Sequence, residues 1–125
     1  MNIHPTNAEM EILQVLWKYG PSTVRFVNDK LNEEKRTVQY SATLKLMQIM
    51  AEKKMVDRDE TNMKHIYSAA IAEDTTKKDL LGRFVENVFN GSASKLMMQL
   101  LANKKTSRKE LEEIRNLIDK LEEEE

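Results

Sequence analysis

Apolar positions recur with a helical period through the first fifty residues. Ile12, Leu13, Val15, Leu16 and Trp17 predict an amphipathic helix of about three turns. Thr6-Asn7-Ala8-Glu9 precedes it as a capping box, in which the Thr oxygen accepts from the third helical N–H and the Glu reaches back. Tyr19-Gly20-Pro21-Ser22 breaks the helix, with Ser22 as the expected cap of a second one. There Val24, Val27 and Leu31 make one apolar stripe over two turns. Asn32-Glu33-Glu34-Lys35 reads as a polar connector, and a third helix is expected from about Tyr40 to Lys53.

After the third helix the period shortens. Met55-Val56-Asp57-Arg58 and His65-Ile66-Tyr67-Ser68 read as two short strands joined by a polar turn. Three helices followed by a hairpin is the order of a winged helix-turn-helix. The remaining chain returns to helical spacing. Asp74-Thr75 opens a helix carrying Leu80, Leu81, Phe84, Val85, Val88 and Phe89, and Asn90-Gly91-Ser92 closes it with a glycine suited to a left-handed terminator. Leu96, Met97, Met98, Leu100 and Leu101 mark a short apolar helix. Ser107-Arg108-Lys109-Glu110, a second capping box, opens a last one with Leu111, Ile114, Leu117, Ile118 and Leu121. Three short helices joined by brief turns can hardly seal a core alone, so their apolar faces are expected to meet a second copy around a two-fold axis. The expected class is mainly α (α+β): a winged-helix DNA-binding domain over 1–72 and a helical dimerisation domain over 73–125.

The third helix has two unlike faces. At about 100° per residue, Tyr40, Thr43, Leu44, Leu46, Met47, Met50 and Ala51 collect on the inner side. Ser41, Lys45 and Gln48 gather on the outer side: a hydroxyl, a cation and an amide of the kind that reach base edges or phosphates in a major groove. A polar outer face is also what any solvated helix shows, so local charge matters. The whole chain has 20 basic and 21 acidic residues, a net charge of -1 that would argue against nucleic acid. From Lys35 to Lys54, however, five bases face one acid. Residues 1–72 hold 10 bases and 9 acids, and residues 73–125 hold 10 and 12, so the basic excess sits on the reading segment. Arg58 and Lys64 in the hairpin add cations for backbone contacts, each releasing counterions.

Composition removes several alternatives. The chain has no cysteine, which excludes disulfide scaffolds, thiolate metal sites and cysteine nucleophiles. Its two histidines, His4 and His65, lack a second ligand at helical spacing, so no metal is expected, and no cofactor motif or catalytic constellation stands out. Asp57, Asp59 and Glu60 lack the spacing of a calcium loop and fit a solvated hairpin tip. Met1–Thr6 shows no basic region leading into an apolar run, and no stretch is long enough to span a bilayer, so the cytoplasm is the expected location. The terminal Glu122–Glu125 run reads as a solvated tail.

Glu11-Ile12-Leu13-Gln14-Val15-Leu16-Trp17, Thr23-Val24-Arg25 and the run from Tyr40 to Val56 resemble the penicillinase-repressor and methicillin-resistance-repressor family, which also holds copper-transport repressors. The resemblance covers nearly the whole chain and is strongest in the third helix. It implies a non-enzymatic repressor of antibiotic-resistance type that binds a palindromic operator as a homodimer, its two readers about one helical turn apart (~34–36 Å). By position it places Ser41, Ala42 and Lys45 among the base- and phosphate-contacting residues. With the residues around them, the expected DNA-contacting set is Thr23, Arg25, Arg36, Gln39, Tyr40, Ser41, Ala42, Lys45, Gln48, Arg58 and Lys64. The expected dimerisation set is Leu81, Phe84, Val85, Val88, Leu96, Met97, Leu100, Leu101, Ile114, Leu117 and Ile118.

The chain departs from this family at Ile49, where many relatives carry a basic residue, and at Lys54, where many carry the glycine that a left-handed helix end favours. Lacking cysteine, it is not a copper-thiolate sensor of the family's copper-responsive branch. In the antibiotic-responsive branch a membrane sensor metalloprotease triggers cleavage in the short dimerisation helix. The matching bond is Gln99-Leu100, and cutting there would remove the avidity of two half-sites. Two other readings stand beside this one: a helical protein-interaction adaptor built on a winged fold, and a winged-helix regulator gated directly by a small ligand.

Overall fold

The computed structural model describes residues 4–61, 63–103 and 105–124. Along the chain run α1 (Asn7–Tyr19), α2 (Val24–Glu34), α3 (Tyr40–Glu52), β1 (Val56–Asp59), β2 (Ile66–Ala69), α4 (Glu73–Phe89), α5 (Ala93–Ala102) and α6 (Arg108–Glu123). The class is mainly helical with one small antiparallel sheet, and its N-terminal part is a winged helix. The chain divides into two compact units, Met1–Leu80 and Leu81–Glu125. The division falls inside α4. The start of that helix is fastened to the first unit, where Trp17 Nε1 donates to Ile71 O at 3.0 Å and the Lys77 ammonium lies 5.9 Å from the Trp17 ring centre.

In the first unit the expected apolar stripes do meet. Ile12, Leu13, Val15 and Leu16 of α1, Val24, Val27 and Leu31 of α2, and Met47 and Met50 of α3 are buried together with Met55, Val56 and Tyr67. Each fully buried side chain of this size contributes about 1.5–3 kcal/mol. The Thr6–Glu9 capping box forms in both directions: Thr6 N donates to Glu9 Oε1 at 2.8 Å, and Glu9 N donates to Thr6 Oγ1 at 3.2 Å. The strands pair Val56 with Ala69 and Asp59 with Ile66, so each lies one residue later than the sequence pattern suggested. Ser22 joins the sheet as a third rung, exchanging 2.9 and 2.8 Å backbone hydrogen bonds with Tyr67.

That rung explains one correction. Ser22 does not cap α2; its hydroxyl donates back to Gly20 O, and Thr23 is the cap, accepting from Phe26 N at 3.1 Å. The expected connector at 32–35 is helical through Glu34, because Leu31 O still accepts from the Lys35 N–H. Tyr40 is not on the inner face of α3. As the first residue of the helix it projects beyond the packed layer and stays exposed. At α6 only half of the second capping box forms: Ser107 Oγ accepts from Glu110 N, while the Glu110 carboxylate meets the Ser107 hydroxyl instead of its N–H.

The second unit is built differently. Asn90 and Gly91 both adopt positive φ (52° and 81°), ending α4 where the glycine was expected. Gly91 N donates to Val85 O at 3.0 Å, closing the turn. Neither α5 nor α6 has a single buried residue. Met98 is 68% exposed, Leu117 56% and Leu121 54%, values foreign to a finished helical core.

Candidate nucleic-acid interface

The third helix, α3, is held in place by two asparagines. Asn28, buried on α2, donates from Nδ2 to Val38 O at 3.0 Å and to Thr43 Oγ1 at 2.9 Å. Asn32 donates to Val38 O and accepts from Val38 N, so both polar groups of that residue's backbone are bound. Together they fix the α2–α3 turn and the start of α3. Sequence reading missed both, although a signal existed: Asn28 stands at i+4 from Val24 within the apolar stripe, where a polar side chain must find buried partners.

On α3, Ser41, Ala42, Lys45 and Gln48 all face solvent, as does Gln39 at the cap, whose side chain makes no capping bond. Thr23 at the cap of α2, Arg25 in its first turn, Tyr40 of α3, and Lys64 and His65 of the hairpin surround one shallow depression of about 250 Å³. The guanidinium carbon of Arg25 lies 4.3 Å from the Tyr40 ring centre. Gln48 belongs to the opposite flank, where it shares a second depression with Glu52, Arg58 and Glu60.

Pairing changes the local electrostatics. Arg36 is bound to Glu11 at 3.1 Å, Lys53 to the buried Glu9 at 3.0 Å, and Arg58 to Glu60. Two of the five bases between Lys35 and Lys54 therefore face carboxylates supplied by α1, which that stretch of sequence does not contain. Among the described residues, Arg25, Lys45 and Lys64 have no carboxylate within ion-pair distance. Open positive charge is thus found at Lys45 on the outer side of α3 and at Lys64 in the hairpin, and also at Lys35 and Lys54 at the ends of α2 and α3.

Of the residues expected at a dimer contact, Leu81, Phe84, Val88, Met97, Leu100, Leu101, Leu117 and Ile118 are exposed. Val85, Leu96 and Ile114 are half-buried. Gln99 and Leu100 are both exposed and lie inside α5, so the bond between them is helical. Among the described residues no helix is long and apolar enough to cross a membrane.

A buttressed third helix beside a hairpin wing defines a winged-helix protein. Comparison with known proteins narrows this. The penicillinase repressor family matches residues 5–120, and the chain belongs to that family. It is similar to the methicillin resistance regulatory proteins MecI of Mammaliicoccus sciuri and Staphylococcus aureus, at 21% identity over 115 and 119 residues. Each match covers 92% of this chain and 93% of the relative. A solved structure of Lactococcus lactis ZitR aligns over 99% of this chain and 77% of that one, with 16% identity and a TM-score of 0.49. Membership of the penicillinase repressor family makes the protein a winged-helix transcriptional repressor, a non-enzymatic regulator.

Proposed function

We propose that the protein represses transcription as a homodimer on a palindromic DNA operator, reading base edges with Ser41, Ala42, Lys45 and Gln48 of α3. Thr23, Arg25, Gln39 and Lys64 contact the flanking backbone, and Tyr40 stands beside them against Arg25. The observation that carries the reading is the exposed, carboxylate-free Lys45 in the middle of a helix whose opposite side is locked by Thr43, Met47 and Met50. Arg36 and Arg58 contribute less than their charge suggests, because Glu11 and Glu60 already hold them. The exposed apolar faces of α4, α5 and α6 are the dimer contact in this reading.

Relief of repression by proteolysis at Gln99-Leu100, under a membrane sensor protease, belongs to the same proposal. A helical bond resists a protease until the helix opens locally, and α5 has no fully buried side chain to oppose opening in a free protomer. Family membership and the methicillin-regulator relatives support an antibiotic-resistance setting.

The test is selection of duplexes from a random-sequence library by the full chain, followed by titration of the selected sequence. Lys45→Ala is expected to weaken binding to the selected duplex by about 1–3 kcal/mol and to relax its preference over a shuffled duplex. Unchanged affinity and preference would remove α3 as the reader.

A further inference from the structure

Lys18, Lys30 and Lys77 lie over aromatic rings and each also meets a carboxylate, whereas Arg25 has none within ion-pair distance among the described residues. Arg36, Lys53 and Arg58 are each fixed by a carboxylate, which sets their direction and cancels their charge at once. Arg25 instead lies over an aromatic ring, its guanidinium carbon 4.3 Å from the centre of Tyr40. A ring holds a guanidinium by its face and leaves the N–H donors at its edge unused, with the charge intact. Tyr40 is 37% exposed, so part of its ring stays open to solvent beside Arg25. The first turn of α2 holds no acidic residue to balance Arg25. A cation there opposes the helix dipole, a local cost that folding alone does not explain.

We propose that Tyr40 is a positioning residue for DNA binding: its ring presets the Arg25 guanidinium, edge outward, for bidentate contact with a backbone phosphate beside the reading helix. This rests on the reading of α3 as the DNA-contacting helix and deepens it. Lys64 borders the same depression from the hairpin side, so a phosphate reaching Arg25 meets a second cation there. Presetting matters because an arginine loses rotamer freedom on docking, and the ring removes much of that loss beforehand.

The experiment measures affinity for the library-selected duplex over a range of salt concentrations. It compares the wild-type chain with Arg25→Ala, Tyr40→Leu, Tyr40→Phe and the Arg25→Ala/Tyr40→Leu double variant. Arg25→Ala is expected to lower the salt slope by about 0.9 for each docked protomer, the signature of one lost phosphate contact. Tyr40→Leu is expected to weaken binding about 3- to 10-fold, and Tyr40→Phe, which keeps the ring, to restore it to within about twofold. In the Arg25→Ala background Tyr40→Leu is expected to cost nothing further. Additive losses, failure of the Phe rescue, or an unchanged slope in Arg25→Ala each overturn the positioning role. If those results appear while Lys45→Ala still loses preference, the reading helix stands and only the positioning role falls. If Lys45→Ala is also silent, both fall together.

Discussion

Glu9 is 1% exposed and still charged. Burial, the largest influence on its carboxyl, pushes the pKa up, but the Thr6 N–H and the Lys53 ammonium together outweigh it and hold the value below the ordinary 4.5. A carboxyl whose folded pKa is depressed adds stability wherever it is ionised in both states. That stability is lost as pH falls from the ordinary value through the folded one. Half of the Lys53 side chain is in water, so the pair is screened and its share is modest. Glu9→Gln keeps an oxygen for Thr6 N and removes the charge. It is expected to lose about 1 kcal/mol near neutral pH, with the gap to wild type closing in acid as Glu9 itself is protonated. Urea unfolding at neutral pH and below the ordinary carboxylate range checks this, and a gap that stays constant with pH would rule out an electrostatic origin.

At the scale of an element, the end of α3 carries a cost that one residue bears. Met55 N donates to Met50 O at 2.9 Å and Lys54 N to Ala51 O at 3.1 Å, the paired bonds of a Schellman turn, which needs a left-handed residue at position 54. Lys54 meets that need with φ 67°. A side chain there costs about 1–2 kcal/mol, partly offset by a cation near the helix C-terminus. Comparing Lys54→Gly with Lys54→Ala removes the charge from both and isolates the backbone. The glycine variant is expected to be the more stable by about 1 kcal/mol in thermal or urea unfolding, and equal stabilities would mean that the turn relaxes.

What was legible in the sequence follows from what is local. The Thr6–Glu9 box, the Gly91 terminator and the strain at Lys54 each involve only a few consecutive residues, and each appears where its motif lies. The inward stripe of α3 was legible at Thr43, Met47 and Met50 by periodicity, but not at Tyr40, because a helical wheel has no ends and the first residue projects past its neighbours. The turn at 19–23 was misread at Ser22 because Tyr67, more than forty residues away, captures its backbone. The local charge excess was overstated for the same reason: Glu9 and Glu11 reach Lys53 and Arg36 only through the fold. Such pairs carry no signal along a single chain.

For the whole molecule, the decisive fact is that two of its six described helices have no fully buried residue. Leu111, Ile114, Leu117, Ile118 and Leu121 run along α6 at spacings of three and four, a stripe built to be covered. Leaving such a stripe in water would forgo about 25 cal/mol for every Å² of apolar surface, and a second copy of the same stripe is self-complementary across a two-fold axis. A charge placed on it tests the idea. Leu117→Glu is expected to shift sedimentation equilibrium from dimer to monomer. Its affinity for the full selected site should fall by about 10²- to 10⁴-fold, with little change for a half-site. Trp17, the only tryptophan, belongs to the winged unit and not to the unit that carries the substitution, so its fluorescence reports whether the winged unit remains folded. A variant that stays dimeric, or that becomes monomeric with full-site affinity intact, would separate the apolar stripe from operator binding and leave the second unit without its proposed role.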